Sequence, residues 1–223
     1  MDIQAIIFDL DGVIVSTDDC HYRGWQRLAD DEGIYFDRAI NDRLRGVSRM
    51  ESLAIVLERS VRVYTEAEKV ALAERKNGYY RELIQTLTPT DILPGVMAFL
   101  ADTRARGIKM AIGSSSKNCP TILEHIGLDA YFDAVVDGNH ISRSKPDPQV
   151  FALGAQRLGI PPARCLVVED AEAGVEAGLA AGMRVLGVGW AARDPRATVT
   201  AADLSALTVA ELLRALEQTA SPV

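Results

Sequence analysis

No stretch of this sequence approaches the roughly 18 consecutive apolar residues that a membrane-spanning helix requires. The opening Met1-Asp2-Ile3-Gln4 has no basic segment, and its apolar run ends at the acidic Asp9, which reads as a strand and not as a secretion signal. Cysteine is scarce. Cys20, Cys119 and Cys165 are an odd number with no CxxC pair, which excludes a disulfide scaffold and points to unpaired thiols in a reducing cytoplasm. Positive charge is in deficit: 24 Lys and Arg against 31 Asp and Glu give a net charge of −7, without the electrostatic footprint of a nucleic-acid binder. An anionic ligand must then be held by a local cluster of donors. Neither GxxxxGK[ST] nor HExxH occurs, and Gly187-Val188-Gly189 lacks the third glycine and the following helix of a dinucleotide fingerprint. His125 and His140 have no acidic or histidine partner at ligand spacing, and His125 reads as a helix-end residue.

What is present is an ordinary globular composition, 48% hydrophobic and 25% charged over 223 residues, enough for one large domain or two unequal ones. Residues 3–8 are apolar on both faces and rich in Ile, as a central parallel strand requires. From about 17 to 87 the texture is helical. Trp25, Leu28 and Ala29 share one face, as do Leu53, Val56 and Leu57, and Tyr79, Tyr80, Leu83, Ile84 and Leu87, with charges opposite. Beyond residue 91, apolar runs at 109–113, 134–137, 165–169 and 184–188 alternate with helical stretches near 96–106, 121–126, 150–158 and 175–181. That alternation predicts an α/β fold, a Rossmann-like parallel sheet covered on both sides with right-handed crossovers. The first strand has no β partner until the helical block ends. The expected organisation is a core of 1–15 plus 90–223 with an inserted helical cap at 16–89. Gly174, Gly178 and Gly182 recur every four residues without an apolar 20-mer around them, which predicts close helix-on-sheet packing.

In an open parallel sheet, ligands bind beyond the carboxyl ends of the strands. Chemistry-bearing residues gather there: Asp9-Leu10-Asp11, Ser114-Ser115-Ser116-Lys117-Asn118, Ser144-Lys145-Pro146-Asp147, and Glu169-Asp170. Four acids at one sheet edge need a compensating charge, and a hard, oxygen-preferring cation such as Mg²⁺ supplies it. The hydroxyl-rich segment from Ser114, with Pro120 in the first turn of the next helix, offers hydroxyls, backbone N–H groups and a helix dipole to a phosphate. Lys145 is placed to pair with a nucleophilic carboxylate and with phosphoryl oxygens.

Phe8-Asp9-Leu10-Asp11-Gly12-Val13, the Ser114 loop, Ser144-Lys145-Pro146-Asp147-Pro148 and Glu169-Asp170-Ala171 resemble, in order and spacing, the four motifs of the haloacid dehalogenase-like (HAD) phosphotransferases. Over nearly the whole chain the resemblance is to that superfamily's β-phosphoglucomutase family. His21 with Trp25, the segment Arg45-Gly46-Val47-Ser48-Arg49, and Arg75-Lys76-Asn77 carry it in the cap.

The resemblance implies roles. Asp9 is the expected nucleophile, forming an aspartyl phosphate, and Asp11 the general acid/base. Mg²⁺ is expected at Asp9, the backbone carbonyl of Asp11, and Asp170, with Glu169 nearby. Ser114 and Lys145 would stabilise the transferring phosphoryl group. Arg49, Ser116, Lys117 and Asn118 would hold the other phosphate of a hexose phosphate, with Trp25, Arg45, Gly46, Val47 and Ser48 in the same substrate-binding set. His21 and Lys76 would serve cap closure and proton control, and Thr17 would lie at the hinge. The family pattern implies interconversion of β-D-glucose 1-phosphate and 6-phosphate through a 1,6-bisphosphate, by a cytoplasmic monomer without nucleic-acid or membrane partners. A phosphatase on the same core and a non-catalytic sugar-phosphate sensor are the alternatives. Arginine at 45 where lysine is expected, Val15-Ser16 before the threonine, and Val135 to Asn139 depart from the pattern; they bear on substrate preference and closure more than on the chemistry.

Overall fold

The tetrapeptide Ala-Ile-Ile-Phe offers apolar side chains to both faces of a sheet, and it forms β1 (Ala5–Phe8), buried at all four positions. In the computed structural model, which describes residues 2–44 and 48–219, β1 pairs in parallel with β2 (Lys109–Gly113) and β4 (Cys165–Glu169). β3 (Ala134–Val136), β5 (Arg184–Gly187) and β6 (Val199–Thr200) extend the sheet to the order β3-β2-β1-β4-β5-β6, parallel throughout. The α/β reading of the sequence therefore holds, with β1 at the centre.

Alternation along β1 assigns its two faces. Ile7 joins Val167, Phe151 and Val175 in one apolar cluster, which α7 (Gln149–Leu158) and α8 (Glu172–Ala180) cover. Phe8 turns the other way and meets Phe99 of α5 (Val96–Ala105) edge to face, with ring centroids 6.2 Å apart. Helices on both faces exclude water from a sheet that has no polar side. The chain divides into two units: residues up to Ser16 and from Thr88 onward form one, and Thr17–Leu87 the other. These limits fall slightly inside the expected 16–89 insertion, since Thr88, which caps the 3-10 turn Pro89–Asp91, goes with the first unit.

The Thr17–Leu87 unit holds α1 (Asp18–Glu32), α2 (Arg38–Asp42), α3 (Arg49–Leu57) and α4 (Glu66–Ile84). Trp25, Leu28, Leu53, Val56 and Leu72 form its core. Ser48 with Glu51, and Thr65 with Glu68, close reciprocal capping boxes that fix the starts of α3 and α4. Neither β6 (Val199–Thr200) nor α9 (Val209–Thr219) was anticipated from the sequence. β6 spans only two residues, too short for a periodic signal. α9 (Val209–Thr219) buries Val209, Leu212 and Leu216, and its Thr208–Glu211 capping box was there to be read in the sequence. No helix among the described residues is long and apolar enough to cross a membrane.

Candidate active site

Parallel register brings strand ends together. Phe8 lies opposite Ile112 and Val168, so Asp9, Gly113 and Glu169 come at the same edge of three adjacent strands. Asp9 extends the ladder by donating its N–H to Val168 O at 2.9 Å, and its residue is 7% exposed. Lys145 inserts its ammonium between two carboxylates: Nζ lies 2.5 Å from Asp9 Oδ1 and 2.6 Å from Glu169 Oε1. The second Glu169 oxygen accepts the Ala171 N–H at 2.9 Å. One carboxylate oxygen each from Asp9, Glu169 and Asp170 fall within 4.8 Å of one another.

The charges do not cancel. Burial opposes the Lys145 ammonium, but the Asp9 and Glu169 carboxylates outweigh it and hold the proton well above the ordinary lysine range. Burial raises the Glu169 carboxyl, Lys145 opposes the rise and the charge of Asp9 adds to it. Asp170 is pushed up to about 8, first by burial and then by the charges of Glu169 and Asp9. Three acids facing one ammonium form a hard oxygen donor set, which fits a divalent cation of the Mg²⁺ class. Glu169 commits both oxygens to Lys145 and Ala171, so Asp9 and Asp170 offer the freer donors. The Asp11 carboxylate stands outside the three-acid group, on the tight 10–15 turn where Ile14 and Val15 both donate to Leu10 O. It is close enough to Asp170 to count among the charges that raise it.

Two glycines make room for these carboxylates. A Cβ on Gly12, which sits at φ +79°, would lie 2.1 Å from Asp170 Oδ2, and one on Gly174 would lie 1.9 Å from Glu169 Cδ. The uniform packing role expected for Gly174, Gly178 and Gly182 is therefore corrected. Gly178 does pack α8 onto Val185 and Val167, whereas Gly174 clears space for Glu169, and Gly182 (φ +75°) turns the chain after α8 with nothing within 4 Å.

The segment after β2 is tied by its own hydroxyls. Ser114 is buried, its N–H donates to Val136 O at 3.0 Å, and its Oγ accepts the Ser116 N–H at 3.1 Å. Ser116 Oγ in turn accepts the Asn118 N–H at 3.2 Å. Lys117 is exposed, and the buried Ser115 Oγ has no hydrogen-bond partner among the described residues. The helix that follows, α6 (Cys119–His125), has only seven residues. The groups of the loop itself, more than a helix dipole, are what this edge offers an anion.

The Thr17–Leu87 unit carries a second cluster. Lys76, 3% exposed, places Nζ 2.9 Å from His21 Nδ1, 4.7 Å from the Trp25 ring centroid and 4.9 Å from that of Tyr80. His21 stacks on Tyr80 with centroids 4.1 Å apart. Burial, then the charges of Lys76 and Arg49, hold the His21 pKa well below its ordinary value, so the ring is neutral and Nδ1 accepts from the ammonium. Arg49 donates to Glu74 Oε1 at 2.9 Å and to Asn77 Oδ1 at 3.0 Å. Other members of the expected substrate set sit differently. Trp25 belongs to the apolar core of the unit, and Ser48 spends its hydroxyl on the α3 cap. Thr17, expected at the hinge, is buried at the start of α1. Arg45, Gly46 and Val47 lie outside the described residues.

Sequence reasoning overlooked several residues. Gly12 and Gly174 owe their roles to clearance, Tyr80 to stacking, and Glu74 and Asn77 to holding Arg49. It also gave His140 no acidic partner. The structure places His140 Nδ1 against the buried Asp137, where it accepts the backbone N–H at 3.1 Å and lies 2.9 Å from Oδ1, a proximity across a turn that sequence spacing does not reveal.

A family model for haloacid dehalogenase-like hydrolases matches residues 3–182. The chain belongs to this family. Among its relatives, the β-phosphoglucomutase of Bacillus subtilis is 44% identical over 189 residues, covering 84% of each chain. The phosphorylated carbohydrates phosphatase of Thermotoga maritima is 30% identical over 97% of this chain and 99% of its own. The crystal structure of β-phosphoglucomutase from Clostridium difficile superposes with a TM-score of 0.87 at 38% identity, covering 97% of this chain and 98% of the other. This chain is thus similar both to a mutase and to a phosphatase of phosphorylated sugars.

Proposed function

We propose that this protein is a phosphosugar mutase that interconverts β-D-glucose 1-phosphate and β-D-glucose 6-phosphate through an aspartyl phosphate on Asp9 and a β-glucose 1,6-bisphosphate. The observation that carries the reading is the buried Lys145 ammonium joining Asp9 to Glu169 beside Asp170. The 44% identity to the Bacillus subtilis mutase favours mutase over phosphatase.

Phosphoryl transfer asks a protein mainly for positioning and charge neutralisation. Asp9 attacks phosphorus in line, one P–O bond forms on its carboxylate, and the bond to the sugar oxygen breaks. Lys145 holds the attacking carboxylate in place and meets the phosphoryl oxygens as a point charge. Asp11, as general acid, gives its proton to the departing sugar oxygen, and in the return transfer takes one from the accepting hydroxyl. Ser114 supplies a hydroxyl at the same sheet edge. Asp9 and Asp170, with the backbone carbonyl of Asp11, would hold Mg²⁺, and Glu169 would orient Lys145. Bound there, Mg²⁺ supplies neutralisation of charge on the transferring group. Ser116, Lys117 and Asn118 are assigned the non-transferring phosphate, and Arg49 a cationic role in phosphate recognition. His21 and Lys76 are assigned proton control. The three cysteines, all buried, suit a cytoplasmic enzyme.

A phosphatase is the second reading. It is favoured by the Thermotoga relative and by the fructose-1-phosphate phosphatase of Escherichia coli, 33% identical over 184 residues. The product profile separates the two. With β-glucose 1-phosphate, Mg²⁺ and catalytic β-glucose 1,6-bisphosphate, a mutase accumulates glucose 6-phosphate and leaves α-glucose 1-phosphate untouched. Stoichiometric release of inorganic phosphate without glucose 6-phosphate would decide for the phosphatase.

A further inference from the structure

The turn that follows β3 clasps the Ser114–Asn118 loop. Gly138 N–H donates to Ser116 O at 3.2 Å, and Asn139 Nδ2 donates to Lys117 O at 3.1 Å. The approach is close enough that a Cβ on Gly138 would lie 2.4 Å from Ser115 O and 2.8 Å from Lys117 N. The backbone positions of Ser116 and Lys117 are therefore set by where this turn holds Gly138 and Asn139.

The turn is in turn set by one side-chain pair. Asp137 is buried, and its Oδ1 accepts the Asn139 N–H at 2.8 Å. His140 Nδ1 accepts the Asp137 N–H at 3.1 Å, and His140 N–H closes the turn on Asp137 O at 2.9 Å. His140 thus binds both ends of the same aspartate, and neither residue has a part in phosphoryl transfer. A buried Asp137 whose backbone N–H lost its acceptor would be unsatisfied, and such a group is costly enough to let the turn rearrange.

The geometry points to His140, acting through Asp137 and Asn139, as the positioning residue that holds Ser116 and Lys117 in register for the non-transferring phosphate. The inference rests on the reading of that loop given above. It predicts a binding effect separate from the chemistry at Asp9, because the Asp137–His140 contacts reach the loop backbone and not the Lys145 bridge.

The test compares His140→Ala, His140→Asn and Lys117→Ala. Steady-state turnover of β-glucose 1-phosphate, with Mg²⁺ and catalytic bisphosphate, is set beside the rate at which acetyl phosphate, a donor without a second phosphate, labels Asp9. His140→Ala should raise KM for the sugar phosphate about fivefold, the scale of one hydrogen bond, with kcat and the acetyl phosphate rate within about twofold of the parent. His140→Asn, whose amide oxygen can accept the Asp137 N–H in place of Nδ1, should restore KM. A variant that merely lost stability would lower kcat and the acetyl phosphate rate together and leave KM in place, which would overturn the inference. If Lys117→Ala raises KM and His140→Ala does not, the inference falls and the reading of the loop stands. If neither raises KM, both fall.

Discussion

Replacing Asp170 by asparagine should make the metal-free protein more stable, by an amount that grows with pH above about 4. In the folded chain burial and the neighbouring charges of Glu169 and Asp9 lift this carboxyl from its ordinary 3.8 to about 8. Between those values the native state holds a proton that the unfolded chain has released, so stability falls as pH rises from about 4 to about 8. Lifting a carboxyl that far corresponds to a penalty on the order of 5 kcal/mol once Asp170 is fully charged. Asp170→Asn keeps the shape and removes the charge. In urea unfolding with EDTA, the variant should be more stable than the parent by about 1–2 kcal/mol at pH 5, and by about 5 kcal/mol at pH 8.5. Adding Mg²⁺ should stabilise the parent by RT ln(1 + [Mg²⁺]/Kd) and leave the variant unmoved. A difference that does not widen with pH, or a variant less stable than the parent at pH 8.5 in EDTA, would refute the reasoning.

Two further substitutions probe the same site. Gly174→Ala drives a Cβ into the Glu169 carboxyl; it should cost about 1–3 kcal/mol of stability and lower turnover more than tenfold, whereas Gly178→Ala, which presses on Val185 instead, should cost similar stability and spare turnover. A loss of turnover equal in both would separate Glu169 from the clearance argument. Lys145→Ala strips the ammonium from two buried carboxylates and should destabilise the fold by about 3–5 kcal/mol at pH 8. That loss should shrink toward pH 5 as Glu169, whose carboxyl burial already raises, takes up a proton; a loss independent of pH would argue against the bridge.

The strands were legible because a buried parallel sheet has no polar face: Ile6, Ile7, Val167 and Val168 leave little else for their segments to become. The acids were legible because they stand where such strands stop. The clearance given by Gly174 was not, since it depends on α8 starting directly against the Glu169 side chain, a proximity that a four-residue glycine repeat only hides. His140 went unread for the same reason, because only the folded turn after β3 brings its ring back onto Asp137. Trp25 was placed among the sugar contacts by resemblance, while the folded unit uses it as core and as a face for Lys76.

The central claim is that Asp9 carries the phosphoryl group and hands it to a sugar. Labelling the protein with radioactive acetyl phosphate and then adding β-glucose 1-phosphate tests it in a single turnover. The account expects label on Asp9, absent in Asp9→Asn, to move into β-glucose 1,6-bisphosphate faster than it reaches water. Label that persists in Asp9→Asn, or that leaves only as inorganic phosphate when the sugar arrives, would contradict it.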